Sequence, residues 1–327
     1  MNRHRKGRLA PSPTGSQHLG NARTFLLAFW SAMHEGSELC LRIEDIDSPR
    51  VKSWAMDQAI EDLRWLGISW SGDPIVQTQR NDRYGQVLDS LRISNRIYPC
   101  VCSRRDIEQA ASAPHESEPQ HEGPRYPGTC ASWRHGDALP KEQPYCWRFR
   151  VDDQELQFSD LISGTHRLNP ARSLGDFPVT RKGSPTLTDR SNSSVHCYPP
   201  AAYQLAVVID DMDQGVTDVV RGDDLVISTF RQIQLINVLG GSIPTYAHVP
   251  LVCGQDGRRL AKRHGDTRLA SYREQGVAPE TVVRWAAGVS GWNTANLSKL
   301  SLSELHLQLI DTFSWSSLPR DKVDRLL

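Results

Sequence analysis

Apolar positions in the first hundred residues are spaced alternately as in a strand and as in a helix. Short apolar runs at residues 7–10 and 38–43 predict strands, and two prolines and a glycine after the first run predict a loop. Residues 21–35, 54–66 and 84–97 carry apolar residues every three or four positions, which predicts helices with one buried face. The order strand, helix, strand, helix predicts an α/β fold with a parallel sheet.

Apolar order weakens after residue 98 and returns near residue 203. The returning pattern predicts a buried strand at 205–209, a helix at 229–239 and a short strand at 249–252, before a basic loop bounded by glycines. Helical segments near the end of the sequence, such as residues 302–310, can pack on the body that the earlier elements form.

The overall composition excludes few classes of protein. The 327 residues include 38 basic and 38 acidic side chains, so any affinity for RNA must come from local patches. No apolar run approaches the roughly 18 residues of a membrane span, and the basic start lacks the apolar stretch of a signal peptide. We therefore expect a cytoplasmic protein with no membrane partner. Seven scattered cysteines, an odd number, argue against disulfides and leave metal binding open.

A histidine and a glycine stand where the first predicted strand turns into the first helix, in His18-Leu19-Gly20-Asn21. The N–H groups at a helix N-terminus bind anions, and His18 can donate to phosphate oxygens as charge develops. Gly20 would also let a flat base approach the backbone. The alternative interpretation is a loop of proline and glycine with a surface histidine.

The run from Arg8 to Arg23 resembles the first signature of the class I glutamyl-tRNA synthetases. Further motifs of that family follow in order, so the resemblance covers residues 8–265. These motifs read Arg42-Ile43-Glu44-Asp45-Ile46-Asp47, Tyr203-Gln204-Leu205-Ala206, Asp210-Asp211, Arg221-Gly222-Asp223-Asp224 and Leu260-Ala261-Lys262-Arg263-His264-Gly265.

The resemblance implies a class I Rossmann-type parallel sheet with an inserted zinc-binding, acceptor-type subdomain and a short helical C-terminal region. We accordingly expect the first half of the catalytic domain at 1–97, the inserted subdomain at 98–177, a polar loop rich in Pro, Ser and Thr at 178–200, the second half of the catalytic domain at 201–265 and the helical region at 266–327.

The resemblance also implies that His18 and Lys262 are catalytic and that ATP, with Mg²⁺, is bound by His18, Gly20, Asn21, Arg259 and Lys262. Two positions depart from the family pattern. Asn21 replaces the histidine that ends the first signature, and Ala261 removes a hydroxyl from the second. Lys262 on a glycine-bounded loop is suited to neutralising triphosphate charge, although a solvated basic run is the alternative.

Glutamate requires cations for its side-chain carboxylate and an anion for its ammonium group. By resemblance, Arg8, Tyr203 and Arg221 face the carboxylate, and Ser12 and Glu44 face the ammonium. The planar fork of arginine suits a carboxylate. An ordinary ion pair is the alternative for Glu44 and Arg221.

Three of the cysteines in the inserted subdomain, Cys100, Cys102 and Cys130, leave a tetrahedral metal site one ligand short. Composition alone offers a histidine as the fourth ligand, from His115, His121 or His135. The resemblance instead favours Tyr126 and one structural Zn²⁺ held by Cys100, Cys102, Tyr126 and Cys130. Three buried reduced cysteines without a metal are the alternative.

Only 64 residues follow Arg263 (327 − 263), which is short of the roughly 100 residues of an independent anticodon-reading domain. Together with the run Tyr203-Gln204-Leu205-Ala206-Val207, the short region after Arg263 gives the chain a resemblance to the glutamyl-Q tRNA(Asp) synthetase family. That resemblance implies a monomer that activates L-glutamate with ATP without tRNA and transfers it to queuosine in the anticodon loop of tRNA(Asp). A truncated glutamyl-tRNA synthetase that charges a tRNA 3′ end, an adenylate-forming enzyme with a small-molecule acceptor and a non-catalytic RNA-binding paralogue are the alternatives.

Overall fold

The computed structural model describes most of the chain as one α/β body. The described residues are 5–13, 17–46, 53–111, 124–141, 143–183, 198–254, 267–321 and 327. Two arginines and a lysine singled out above, Arg259, Lys262 and Arg263, lie outside them, as do the alternative metal ligands His115 and His121.

Ten strands and ten α-helices make up the described part of the chain. In chain order they are β1 (Lys6–Leu9), α1 (Leu19–His34), β2 (Glu38–Ile43), α2 (Ser53–Trp65), β3 (Ile75–Val76), α3 (Asn81–Ile93), β4 (Ile97–Cys100), α4 (Arg104–Ala111), β5 (Cys146–Phe149), β6 (Leu156–Asp160), β7 (Gly164–Leu168), α5 (Pro170–Ser173), β8 (Phe177–Pro178), α6 (Tyr203–Gln214), β9 (Asp218–Gly222), α7 (Val226–Leu239), β10 (Thr245–Val249), α8 (Leu269–Glu274), α9 (Pro279–Gly288) and α10 (Leu302–Asp311).

The main sheet has seven strands in the order β3-β2-β1-β9-β10-β6-β7. Every pair is parallel except β6 with β7, which form a hairpin at one edge. The parallel α/β sheet predicted from the sequence is therefore confirmed. A second, antiparallel sheet, β4-β5-β8, lies within the predicted inserted subdomain, whereas β6 and β7 from the same part of the sequence join the main sheet.

Three local predictions were wrong. Residues 205–209 are buried as expected, but they lie in helix α6, because a helix packed on several sides has no polar face to reveal its period. The helix predicted at 84–97 ends at Ile93, since Asn95 adopts a positive φ of 56° and Ile97 starts β4. The strand predicted at 249–252 lies at Thr245–Val249 and stops before Pro250.

The C-terminal helices pack on α1, which is one part of the body on which the sequence allowed them to pack. Val282 and Ala286 of α9 and Leu305 of α10 share a hydrophobic core with Leu26 and Trp30 of α1. Buried His306 of α10 accepts a hydrogen bond from the Trp30 indole at 2.9 Å. Within the described residues, no helix combines the length and apolar character that crossing a membrane requires.

Candidate active site

The candidate site lies where the direction of winding of the main sheet reverses. From β1 the chain passes through α1 to β2 on one side, and from β9 through α7 to β10 on the other, while β1 and β9 are neighbours. In open α/β sheets, ligands bind outside the carboxyl ends of the strands at such a switch point. Arg8 near the end of β1, Glu44 just beyond β2 and Arg221 near the end of β9 meet there.

Buried Arg42 on β2 holds two acidic groups of this site in place. Its Nε and Nη2 donate to Glu44 Oε1 at 3.3 and 3.1 Å, and its Nη1 donates to Asp211 Oδ1 at 2.6 Å. Burial raises the pKa of Glu44, and Arg42 and Arg8 act in the opposite direction. Within the described residues, Glu44 Oε2 has no hydrogen-bond partner, so this oxygen can accept from an incoming ammonium group.

Arg8 and Tyr203 lie in the same pocket. Arg8 Nη1 donates to the carbonyl of Val220 at 2.9 Å, and its buried Nε lies 3.6 Å from Asp211 Oδ1, beyond a good hydrogen bond. Tyr203 is the first residue of α6. Burial raises the pKa of Tyr203, the nearby charges of Arg221 and Arg8 lower it, and the charge of Glu44 raises it further.

Ser12 is exposed beside this pocket. It follows Pro11, whose carbonyl accepts a hydrogen bond from the Glu44 backbone N–H at 3.0 Å. All five residues predicted for glutamate thus come from segments that meet at the carboxyl ends of β1, β2 and β9.

His18 is the N-cap of α1. Its Nδ1 accepts hydrogen bonds from the backbone N–H groups of Gly20 and Asn21 at 3.1 and 3.4 Å, while the Asn21 side chain accepts from the His18 backbone at 3.4 Å. Since Nδ1 accepts, the ring proton of the neutral imidazole resides on Nε2. A Cβ on residue 20 would lie 3.0 Å from the His18 ring, so Gly20 leaves room for that ring.

The described residues that flank the second signature lie close to His18. Leu19 N–H donates to Thr267 O at 3.1 Å, and Leu269 N–H donates to Gln17 O at 2.8 Å. On the other side of the segment, Val252 is a near neighbour of Gly20. Described residues on both sides of the range 255–266, which carries Arg259 and Lys262, therefore lie at the N-terminus of α1.

A sulfur cluster lies in the inserted part of the chain. The three sulfurs of Cys100, Cys102 and Cys130 lie within 4.8 Å of one another, with 3.7 Å between Cys102 and Cys130. The Tyr126 hydroxyl is 3.4 Å from Cys100 Sγ and 3.9 Å from Cys102 Sγ. In a tetrahedral site with Zn–S bonds of about 2.3 Å, neighbouring sulfurs are roughly 3.8 Å apart, so these residues fit a zinc ion.

The alternative ligand His135 is placed elsewhere. Its Nδ1 lies 3.4 Å from Arg92 Nη1, and its backbone N–H donates to the side chain of Asn95. Among the described residues, only the three cysteines form a group with metal-binding spacing.

Sequence reasoning did not identify Arg42, Asp211 and His248 as parts of the site. Arg42 and Asp211 stand inside motifs that carry the resemblance, but their roles depend on contacts between residues 169 positions apart. His248 stands just before the strand predicted at 249–252, and the hydrogen bond that links it to Arg221 joins the neighbouring strands β9 and β10.

Known proteins were compared with the whole chain. The family model for the catalytic domain of class I tRNA synthetases (E and Q) matches residues 6–319. The chain is 58% identical to a glutamyl-Q tRNA(Asp) synthetase of Rhodopirellula baltica, over 96% of this chain and 94% of that protein. It is 36% identical to glutamate–tRNA ligase 2 of Coxiella burnetii (strain Dugway 5J108-111), over 97% of this chain but 63% of that protein.

Among solved structures, a glutamate–tRNA synthetase of Elizabethkingia anophelis superposes with a TM-score of 0.76 at 25% identity, covering 99% of this chain and 68% of that one. The inserted sulfur cluster, the switch-point pocket and the first signature all lie within the matched residues. The chain therefore belongs to the class I tRNA synthetases of the E and Q type, which are ATP-dependent ligases, and within them to the glutamyl-Q tRNA(Asp) synthetase family.

Proposed function

We propose that this chain activates L-glutamate with ATP and transfers it to queuosine in the anticodon loop of tRNA(Asp). The observation that carries the proposal is the convergence of Arg8, Arg221 and Glu44 at the switch point, where the charges of Arg221 and Glu44 both act on buried Arg8. Two cations and one anion around a common space match an amino acid whose side chain is a carboxylate. The names of the relatives that the chain resembles over nearly its full length supply the acceptor.

In this proposal the side-chain carboxylate of glutamate binds Arg8, Tyr203 and Arg221. The ammonium group binds Glu44, with Ser12 beside it. Arg42 keeps Glu44 in position through two hydrogen bonds to one oxygen, which leaves the other oxygen for the substrate. An amide in place of the substrate carboxylate would leave the two arginines poorly paired, so glutamine should bind weakly.

ATP with Mg²⁺ would bind between the two signatures, with His18, Gly20 and Asn21 on one side and Arg259 and Lys262 on the other. A glutamate α-carboxylate oxygen attacks the α-phosphorus, the bond to pyrophosphate breaks, and glutamyl-adenylate forms. A queuosine hydroxyl then attacks the activated carbonyl, AMP leaves, and the hydroxyl proton is released. The protein mainly positions the reactants and stabilises charge, so no side-chain nucleophile is needed.

One structural Zn²⁺ belongs to the proposal, held by Cys100, Cys102, Tyr126 and Cys130. The fit of the sulfur and hydroxyl positions to a tetrahedron supports it. The five-part division of the chain, its monomeric state and its cytoplasmic location stay predictions.

Pyrophosphate exchange into ATP tests the activation step. We expect exchange that depends on glutamate and needs no tRNA, and Lys262→Ala should lower its rate by about 10²-fold or more. No exchange with any amino acid would point to the RNA-binding paralogue. Exchange that requires tRNA(Glu) would support the truncated synthetase.

A further inference from the structure

Arg221 is held by a buried histidine on the neighbouring strand. Arg221 and His248 are paired across β9 and β10, and Arg221 Nε donates to His248 Nε2 at 3.1 Å. A second nitrogen, Nη2, donates to Thr229 Oγ1 at 2.8 Å. Within the described part of the chain, the remaining nitrogen, Nη1, has no hydrogen-bond partner. Two bonds on one edge of the guanidinium therefore fix its plane and leave Nη1 for a ligand.

Asp160 at the end of β6 fixes the tautomer of His248. Its Oδ2 accepts from His248 Nδ1 at 2.7 Å and from the His248 backbone N–H at 2.9 Å. Its Oδ1 accepts from the backbone N–H groups of Ile162 and Ser163, both at 2.9 Å. The carboxylate is thus fully engaged, and both Asp160 and His248 are buried.

The proton positions follow from these partners. Burial lowers the pKa of His248 to about 4, although the bond to Asp160 opposes the shift. Burial alone would raise the pKa of Asp160, but hydrogen bonds from His248, Ser163 and Ile162 lower it to about 2. Near neutral pH a charged aspartate therefore faces a neutral imidazole with its proton on Nδ1. The lone pair on Nε2 can only accept, which suits the N–H of Arg221.

We propose that Asp160 and His248 are positioning residues for Arg221, and that they set the affinity of the pocket for the side-chain carboxylate of glutamate. The inference rests on the proposed function and adds residues from β6 and β10 to the site. Asp160 fixes the tautomer of His248, His248 fixes the edge of the Arg221 guanidinium, and Arg221 meets the substrate with its geometry already set. Preorganisation of this kind strengthens binding without a further contact to the ligand.

An ordinary core histidine would have the same burial, so the variants must separate the two ring nitrogens. In His248→Asn the amide can replace Nδ1 toward Asp160, but nothing accepts from Arg221 Nε in place of the ring Nε2. In His248→Gln the side-chain oxygen can reach the position of Nε2 and accept from Arg221. The matched control is His306→Asn, since His306 is also buried and bonded through both ring nitrogens, to Trp30 and to the Leu66 carbonyl, in the core beneath α1.

The experiment measures tRNA-free pyrophosphate exchange at pH 7.5 with full-length protein, and reports KM for glutamate, KM for ATP and kcat. His248→Asn should raise KM for glutamate about 10-fold or more, the loss expected for one hydrogen bond to a charged group, with KM for ATP changed less than about twofold. His248→Gln should recover most of the affinity for glutamate. His306→Asn should lower the melting temperature and leave both KM values unchanged.

A double-mutant cycle gives the second readout. Once Arg221 is replaced by alanine, His248→Asn should raise KM for glutamate little further, because the residue through which it acts is gone. Asp160→Asn serves the same test if His248→Asn does not fold. Unchanged KM for glutamate in both variants, equal rises for glutamate and ATP, or full additivity with Arg221→Ala would overturn the inference. Wild-type protein without glutamate-dependent exchange would instead refute the proposed function itself.

Discussion

At the scale of single residues, His18 has two ring nitrogens with separate tasks. Nδ1 caps α1 by accepting from Gly20 and Asn21, which forces the proton of the neutral ring onto Nε2. One side chain therefore both completes the helix N-terminus and presents a donor at the place where the strand β1 turns into α1. The two tasks can be separated by substitution.

His18→Asn should keep the cap and lose the donor. An asparagine oxygen can accept from the same backbone N–H groups, so the free energy of unfolding should stay within about 1 kcal/mol of wild type. Pyrophosphate exchange should fall about 10²-fold, since a donor to the phosphate is gone. His18→Ala should lose both the cap and the donor, and its free energy of unfolding should be lower than that of wild type by about 1 kcal/mol. Exchange near the wild-type rate in His18→Asn would refute the catalytic role of this residue.

At the scale of elements, the strand β10 is tied to β6 and β9 by buried His248. An unfolded chain protonates this histidine below about pH 6.5, whereas the folded protein does so only near pH 4. Between these values the unfolded state binds more protons, so the free energy of unfolding should fall as pH falls, by roughly 3 kcal/mol for the whole shift. His248→Asn removes this titration.

Denaturant unfolding of wild type and His248→Asn between pH 4 and 7 measures the effect. The difference between the two curves should change with pH in that window, wild type losing more stability on acidification. Because His306 remains in both proteins, its own titration cancels in the difference. Parallel curves would contradict the assignment of a neutral, buried His248.

The sulfur cluster lies in the loops after β4 and around Tyr126, and its metal content can be measured. Purified protein should contain one zinc ion, and Cys102→Ser should lose it, together with part of the thermal stability, because metal binding contributes to the folding of such sites. Tyr126→Phe should weaken metal binding but leave three thiolates. Cys40→Ser is the control, since Cys40 lies in β2 and its sulfur donates to the Gly7 carbonyl. Zinc-free wild type would refute the site.

Elements with a clear apolar period were predictable, and those buried on several sides were not. The boundaries of β2 and the existence of α1 followed from spacing alone, whereas residues 205–209 had the composition of a strand and proved to be a helix. The pocket residues were found through motifs, but Arg42 acts through Asp211 on helix α6, and His248 acts through Arg221 on the neighbouring strand β9. Long-range pairing of this kind leaves no local pattern in a sequence.

At the scale of the whole molecule, the C-terminal helices belong to the same folded body as the first signature. Arg23 of α1 donates to Ser290 Oγ at 2.8 Å and to the Pro250 carbonyl at 2.6 Å, which joins α1, the end of β10 and the C-terminal region. We expect tRNA contacts to be local to the pocket at the switch point. Arg104 and Arg105, exposed on α4, are candidates, as are Arg258 and Arg263, which lie outside the described residues.

Such local contact predicts that phosphate contacts supply affinity and that the modified base supplies specificity. Replacing both Arg104 and Arg105 by alanine should raise Kd for tRNA severalfold and leave tRNA-free pyrophosphate exchange unchanged. Filter binding and exchange measured on the same preparation check this prediction. A loss of exchange would show that the double variant disturbs the pocket instead of the RNA contact.

The transfer of labelled glutamate to RNA identifies the acceptor of this enzyme. Three acceptors are compared under identical conditions: an anticodon stem-loop of tRNA(Asp) with queuosine, the same stem-loop with guanine, and whole tRNA(Glu). We predict transfer to the queuosine stem-loop nearly as efficient as to whole tRNA(Asp), and none to the other two. Glutamate on the terminal adenosine of tRNA(Glu), with none on the queuosine stem-loop, would contradict the account.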